Sequence, residues 1–239
     1  MIQDVAPLRA VFFDVGDTLA HPRQPHADLL AYVCHAEGFA LDGTARAAFG
    51  DYLAARVAAR AREGRPFTFP PEESQRFWLE TYREFLNRYL PAAPAERVAI
   101  AYRAVLSAPG GYALYDDALP ALAQLRAHGL ALGIISNWEA WLPTLLDATG
   151  LRPFFDHIVI SGCCGVEKPD PRIFALALAE GGYRPVEVAY VGDSLAHDVV
   201  PALALGITPV LLDRAGRHGP VPGCRRIAAL DALPAALRT

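Results

Sequence analysis

The sequence predicts an α/β protein in which a helical domain is inserted into a core built on a parallel sheet. Beyond about residue 110, short apolar runs alternate with segments of helical spacing, which is typical of parallel strands joined by covering helices. Between residues 22 and 106 the spacing is helical throughout, and no strand pattern interrupts it. We therefore expect a core of residues 1–21 and 108–239 and a helical insertion of residues 22–107.

The first strand is predicted from Arg9 to Asp14, where the apolar residues 10–13 lead into an aspartate. A turn at Gly16 follows. Four helices are expected in the insertion, because proline precedes some of these segments and glycine follows others. They cover residues 27–37, 43–63, 72–90 and 94–106. Aromatic residues recur at helical spacing in the third helix, which favours packing over ligand binding.

The remaining elements alternate between strands and helices. Strands are predicted at residues 130–136, 157–161, 187–191 and 208–212, and helices at residues 117–127, 138–149, 171–180 and 196–205. The Gly/Pro-rich segment 214–225 is expected to be a loop, and residues 227–237 a terminal strand or a turn and helix. Because the helices of such a chain cover both faces of the sheet, the sequence predicts a Rossmann-like core.

Composition and charge argue against several classes of protein. The 239 residues are 53% hydrophobic and 20% charged, which is typical of a globular chain. A net charge of -4 without a basic block argues against a nucleic-acid partner. No apolar run has the length of a membrane span, and the start of the chain lacks a signal-peptide pattern. We expect a cytoplasmic protein, monomeric or homodimeric, that associates with neither nucleic acid nor membranes.

Residues that can carry chemistry follow the predicted strands where those strands end. They are Asp14 with Thr18, Ser136 with Asn137, Lys168, and Asp193 with Asp198. The carboxyl ends of parallel strands meet at one edge of the sheet, so these groups are expected to converge. Each residue type also occurs in turns, helix caps or on surfaces. Lys168, however, is the only lysine among 22 lysine and arginine residues, which favours a specific role for its compact ammonium.

In order and spacing, these residues resemble the four motifs of the haloacid-dehalogenase-like (HAD) superfamily. The first motif, commonly D-x-D-x-T, is similar to DVGDT from Asp14 to Thr18, with Gly16 in place of the second aspartate. The other three motifs are a serine or threonine, a lysine and an acidic pair, and they are matched by Ser136, Lys168, and Asp193 with Asp198. The helical insertion after the first strand resembles the C1 cap of that superfamily.

The resemblance implies a phosphatase that acts on a small phosphorylated metabolite. Asp14 would be the nucleophile and would form an aspartyl phosphate. Ser136 and Lys168 would be its catalytic partners, because they bind and neutralise the phosphoryl group. The resemblance further implies substrate contacts by Thr18 and Asn137. It also implies a Mg²⁺ cofactor, whose ligands would be Asp14, the carbonyl group of Gly16, Asp193 and Asp198.

Gly16 is the main departure from the superfamily pattern. An aspartate at this position in the superfamily protonates the leaving group, and such acid-base catalysis is worth about 10²–10⁴-fold in rate. Gly16 keeps a carbonyl for the metal but cannot transfer a proton. Three explanations stay open. In the first, the chain is a phosphatase that acts on good leaving groups or uses another proton donor, such as Asp17 or His21. In the second, it is a 2-haloacid dehalogenase-type hydrolase. In the third, it is a weak or inactive member that binds a phosphorylated ligand or a protein.

Overall fold

The computed structural model describes residues 7–237. They divide into two compact units, one comprising the residues up to His21 and from Leu114 onward, and the other comprising Pro22–Ala113. The first unit is α/β and the second is helical, which confirms the predicted fold class. Residues 108–113, which the sequence prediction assigns to the core, group with the helical unit.

The helical unit is built around a core of aromatic and aliphatic side chains. Its helices are α1 (His26–Ala36), α2 (Gly43–Arg62), α3 (Pro71–Tyr89) and α4 (Ala95–Ser107). Phe49, Phe85 and Tyr102 are fully buried, and the ring centroids of Phe49 and Phe85 lie 4.7 Å apart. The aromatic stripe of α3 therefore stabilises this unit by packing.

The α/β unit contains a six-stranded parallel sheet. The strands of the chain are β1 (Ala10–Phe13), β2 (Ala20–Pro22), β3 (Tyr112–Leu114), β4 (Ala131–Ser136), β5 (His157–Ile160), β6 (Val188–Gly192), β7 (Thr208–Leu212) and β8 (Arg225–Ile227). The spatial order of the large sheet is β5-β4-β1-β6-β7-β8, and β2 pairs with β3 separately. The prediction missed β2, β3 and β8, because each has only three residues and no alternating pattern.

The remaining helices cover the sheet and bring two corrections to the predicted boundaries. They are α5 (Ala118–Ala127), α6 (Leu142–Ala148), α7 (Ser161–Cys164), α8 (Pro171–Gly181), α9 (Val200–Leu205) and α10 (Leu233–Ala236). α6 begins later than predicted, because the Ser161 hydroxyl bonds both the N–H and the carbonyl of Trp138. α9 is preceded by a π-helical turn, Leu195–Val199. No helix within residues 7–237 combines the length and apolar character that a membrane crossing requires.

Candidate active site

Asp14 follows the central strand β1, at the edge where the carboxyl ends of the parallel strands meet. Its side chain is 13% exposed, and its Oδ1 atom accepts hydrogen bonds from Ser136 Oγ and Lys168 Nζ, each at 2.8 Å. Burial raises the pKa of Asp14, and Lys168 opposes this shift. Among residues 7–237 no donor bonds to Oδ2, so this oxygen is available as a nucleophile or a ligand.

The ammonium group of Lys168 is buried among three oxygen atoms. Its Nζ lies 2.8 Å from Asp14 Oδ1, 2.7 Å from Asp198 Oδ1 and 2.9 Å from the Tyr190 hydroxyl. An ammonium group has three protons, and this arrangement uses all of them. Burial by itself lowers the pKa of Lys168, but the neighbouring carboxylates of Asp14 and Asp198 outweigh burial and raise it. Lys168 is therefore a fixed positive charge beside Asp14.

The two residues predicted to contact substrate, Asn137 and Thr18, differ in the contacts that their side chains make. Asn137 Nδ2 donates to the carbonyl of Lys168 at 2.8 Å, and Asn137 Oδ1 accepts from the Lys168 N–H at 2.7 Å. Asn137 therefore holds the main chain of Lys168 from both sides. Thr18 is fully buried, and its carbonyl accepts a hydrogen bond from Arg214 at 3.0 Å. The Asn137 side chain therefore supports the site from within the fold, whereas the buried Thr18 hydroxyl has no hydrogen-bond partner among the described residues.

Three carboxylates, those of Asp14, Asp193 and Asp198, have ligand atoms within 4.8 Å of one another. Burial, reinforced by the charges of Asp14 and Asp198, raises the pKa of Asp193 to about 7. The carbonyl oxygen of Gly16 accepts no hydrogen bond from the described part of the chain. Negatively charged and carbonyl oxygens are the ligands that a hard divalent cation such as Mg²⁺ prefers. The donor set therefore fits the magnesium ion that the resemblance to the HAD superfamily implies.

Asp198 is oriented by donors on both of its carboxylate oxygens. Oδ1 accepts from Lys168 and lies 3.2 Å from the Tyr190 hydroxyl, while Oδ2 accepts from the Ser194 N–H at 2.9 Å. A Cβ atom on Gly192 would lie 2.4 Å from Asp198 Cγ, so only glycine allows this close approach. Asp198 thus fixes Lys168 and keeps spare acceptor capacity only at Oδ2.

Gly16 lies in the turn after Asp14, and its open side faces Trp138. A Cβ atom at position 16 would lie 3.4 Å from Trp138 Cζ3, which is an ordinary van der Waals contact. Trp138 is held by Ser161, whose hydroxyl accepts from the Trp138 N–H at 3.0 Å, and its ring packs edge-to-face on Trp141. The apolar edge of the Trp138 indole ring therefore occupies the space next to Gly16.

Sequence reasoning missed two residues that contact the site. Tyr190 lies inside the buried strand β6, where a single hydroxyl among apolar residues is the only signal of a polar role. Arg214 follows β7 in the Gly/Pro-rich segment, and no sequence pattern indicates its partners. Its guanidinium bonds the Asp117 carboxylate at 2.8 Å and lies 3.7 Å from the ring centroid of Tyr115.

Comparison with known proteins decides the family. A model of the haloacid dehalogenase-like hydrolase family matches residues 8–206, which is most of the chain and includes Asp14, Ser136, Lys168, Asp193 and Asp198. The chain belongs to the haloacid dehalogenase-like hydrolase family. The resemblance drawn from the motifs is confirmed, and the protein is a HAD-family hydrolase.

Individual relatives agree with this assignment. Haloacid dehalogenase-like hydrolase domain-containing protein 3 from Homo sapiens is 31% identical over 216 residues, which span 86% of this chain and 82% of that protein. Phosphoserine phosphatase from Thermus thermophilus is 34% identical over 155 residues, 62% of this chain and 61% of that protein. The magnesium-bound HAD-hydrolase YfnB from Bacillus subtilis is similar in fold, with a TM-score of 0.78 at 21% identity and coverage of 98% and 100% of the two chains.

Proposed function

We propose that this HAD-family hydrolase is a Mg²⁺-dependent phosphatase that acts on a small phosphorylated metabolite. The observation that carries the proposal is the Lys168 ammonium, which lies 2.8 Å from Asp14 Oδ1 and 2.7 Å from Asp198 Oδ1 within a cluster of three carboxylates. A carboxylate that attacks an anionic phosphate needs positive charge nearby to offset the repulsion. Lys168 supplies part of that charge. The negative charge of the carboxylates that Lys168 does not neutralise favours binding of a metal cation.

In the proposed reaction, an oxygen of Asp14 attacks phosphorus, and an O–P bond forms while the P–O bond to the leaving group breaks. Because Oδ1 is bonded to Ser136 and Lys168, we assign Oδ2 as the attacking atom. Ser136 and Lys168 then hydrogen-bond the transferred phosphoryl group. In the second step water attacks phosphorus, the bond to Asp14 breaks, and inorganic phosphate leaves with the carboxylate restored.

The proposed metal ligands are Asp14, the carbonyl of Gly16 and Asp193, with Asp198 contributing through Oδ2. The raised pKa of Asp193, about 7, supports this assignment, because a cluster of ionised carboxylates is unfavourable until a cation joins it. Bound there, Mg²⁺ would supply positive charge to the phosphoryl oxygens and lower the barrier to attack. Asp198 would keep Lys168 in place beside it.

The proposed substrates have leaving groups that depart without a proton from residue 16. Glycine has no acid to donate, and the neighbouring Trp138 edge is hydrocarbon. Leaving groups of low pKa need no protonation, so they suit this site. We further propose that the helical unit, Pro22–Ala113, is the cap that selects among such substrates.

The experiment that tests the function is phosphate release from p-nitrophenyl phosphate, whose leaving group departs without protonation. Turnover is measured with Mg²⁺, with EDTA and in the Asp14→Asn variant, which keeps the size of the side chain. We expect metal-dependent turnover that falls about 10³-fold or more in the variant. If Asp14→Asn retains full activity, Asp14 is not the nucleophile.

A second candidate is hydrolysis of a 2-haloacid, in which Asp14 attacks a carbon atom and halide leaves. Gly16 favours it, because halide needs no proton to depart. The cluster of Asp14, Asp193 and Asp198 disfavours it, since attack on a neutral carbon needs no cation. Chloride release from 2-chloropropionate that persists in EDTA identifies this activity. Absence of turnover in both assays points instead to a binding role.

A further inference from the structure

Tyr190 is a buried polar side chain beside the nucleophile, and the proposed reaction gives it no step. Its hydroxyl lies 2.7 Å from the Ile135 carbonyl oxygen, 2.9 Å from Lys168 Nζ and 3.2 Å from Asp198 Oδ1. A hydroxyl has one proton, and the shortest bond to an acceptor is the one to Ile135. Its lone pairs are then directed to the Lys168 ammonium, so Tyr190 acts as an acceptor for that group.

The position of this hydroxyl is fixed by the sheet. Tyr190 lies on β6 in register with Phe12 of β1, and its hydroxyl reaches Ile135 on β4, the strand on the other side of β1. The side chain thus spans the central strand that ends at Asp14. Tyr190 is 1% exposed, and Phe174 packs edge-to-face against its ring with the centroids 5.0 Å apart. The hydroxyl is therefore held at one place, immediately next to the ends of β1 and β4.

The three acceptors of Lys168 behave differently during the proposed reaction. Asp14 loses its negative charge when it bonds to phosphorus, so its hold on the ammonium weakens. Asp198 stays charged and draws the ammonium toward itself. Tyr190 is neutral throughout, and it is anchored to a backbone carbonyl that does not take part in the reaction. Without the Tyr190 hydroxyl, one ammonium proton would lack an acceptor in a buried site.

We propose that Tyr190 is a positioning residue, whose hydroxyl, anchored on the Ile135 carbonyl, holds the Lys168 ammonium facing Asp14. The consequence for rate rests on the proposed function. The hydrogen-bonded placement of the Lys168 ammonium is independent of the proposed function, and it can be measured without turnover.

The placement is tested by NMR on the full chain labelled with ¹⁵N-lysine. Lys168 is the only lysine, so its side chain gives a single ammonium resonance. Ammonium protons that are buried and hydrogen-bonded exchange slowly with water and remain observable. We expect the Nζ signal to be present in the wild type and to broaden, shift or vanish in Tyr190→Phe, which removes one oxygen atom. The matched control is Tyr183→Phe, whose hydroxyl lies 3.5 Å from His157 and not at Lys168.

The backbone amide signal of Lys168 monitors folding in the same spectra. An amide signal unchanged in Tyr190→Phe, together with an altered Nζ signal, supports the proposal. An Nζ signal identical to that of the wild type overturns it, because the hydroxyl would then not hold the ammonium. If Tyr190→Phe fails to fold, Tyr190→His is used, since its ring can still offer an acceptor and is expected to retain the signal in part.

Kinetics test the consequence for rate. With p-nitrophenyl phosphate, Tyr190→Phe is expected to lower kcat about 10-fold, with KM nearly unchanged. In a Lys168→Gln background the same substitution should have no further effect, because Tyr190 acts through the ammonium. An equal loss in both backgrounds overturns the proposal in favour of a structural role. If the wild type shows no turnover, the proposed function fails while the NMR result still decides the placement.

Discussion

At the scale of single residues, the proposed function makes Gly16 the residue that determines which leaving groups the site can handle. A Cβ atom at this position makes only an ordinary contact with Trp138 at 3.4 Å, so a larger side chain can be accommodated if it turns away from the indole. Gly16→Asp would place a carboxylic acid two residues after Asp14. We expect hydrolysis of alkyl phosphates to rise about 10²-fold relative to p-nitrophenyl phosphate, because only the alkyl leaving group needs a proton.

The matched control for this substitution is Gly16→Asn, which has the same size and no acid. Relative rates for the two substrates are compared in both variants, and Mg²⁺ binding is followed by calorimetry. Both variants keep the backbone carbonyl, so Mg²⁺ affinity should stay within a few fold. An equal gain in the asparagine variant would contradict proton transfer as the cause.

Asn137 is a second residue for which the structure suggests a role that differs from the sequence prediction. Its amide bonds both the N–H and the carbonyl of Lys168, so Asn137→Ala leaves two main-chain groups without these partners. We expect a loss of about 1–3 kcal/mol in the free energy of unfolding, together with a lower kcat. Urea denaturation is compared with Asn87→Ala, an exposed asparagine in α3. Unchanged stability with only a raised KM would restore the substrate-binding role.

At the scale of elements, the sequence is informative where hydrophobic periodicity persists and uninformative where partners come from distant segments. The buried runs of β1, β4, β6 and β7 and the helices of the insertion all lie within a residue or two of their predicted bounds. The predicted start of α6 is wrong, because Ser161 holds Trp138 in the preceding loop through a contact between residues 23 positions apart. The strand ends predict that Asp14, Ser136 and Lys168 converge. They do not predict that Tyr190 reaches across β1 or that Asn137 turns back to Lys168.

The contact between Asp117 and Arg214 joins several elements and can be tested through its pH dependence. The carboxylate at the start of α5 binds the Arg214 guanidinium after β7 and accepts from the Leu230 N–H at 2.8 Å. Burial acts to raise the pKa of Asp117, but these hydrogen bonds outweigh it and lower the pKa below its usual 3.8. Asp117→Asn should therefore lower the free energy of unfolding by about 1–3 kcal/mol near neutral pH.

The sign of the shift fixes the pH range of this effect. A lowered carboxyl pKa stabilises the fold above the usual value of 3.8, and that stabilisation is lost as the pH falls through the lower folded value. The difference between wild type and Asp117→Asn should stay constant from neutral pH down to mildly acidic pH, and shrink below that. Asp116→Asn, at the exposed neighbouring position, is the control for urea denaturation. A difference that grows on acidification would rule out the ion pair as its source.

At the scale of the whole molecule, the α/β unit concentrates negative charge where its strands end. Asp14 follows β1, whereas Asp193 and Asp198 come from the segment directly after β6, and Lys168 offsets only part of their charge. In the proposed function, this arrangement would lower the stability of the fold until a cation binds to the carboxylates. Folding, metal binding and the proposed reaction are thus linked through the same carboxylates.

This linkage predicts how Mg²⁺ changes thermal stability with pH. Burial and the neighbouring carboxylates raise the pKa of Asp193 from 3.8 to about 7. Because the pKa of Asp193 is raised in the folded state, its contribution to the free energy of unfolding without metal is fully present below pH 3.8. That contribution is lost as the pH rises through about 7. The proposed Mg²⁺ would bind the ionised form of Asp193, so its stabilising effect should increase with pH, and its apparent affinity should rise up to about tenfold per pH unit below 7. Melting temperatures with Mg²⁺ and with EDTA, at about pH 6 and about pH 8, measure this effect.

In Asp193→Asn the Mg²⁺-induced shift in melting temperature should disappear, whereas Asp231→Asn, at an exposed position, should behave as the wild type. A Mg²⁺-induced shift of equal size at both pH values would mean that Asp193 does not ionise to bind the metal.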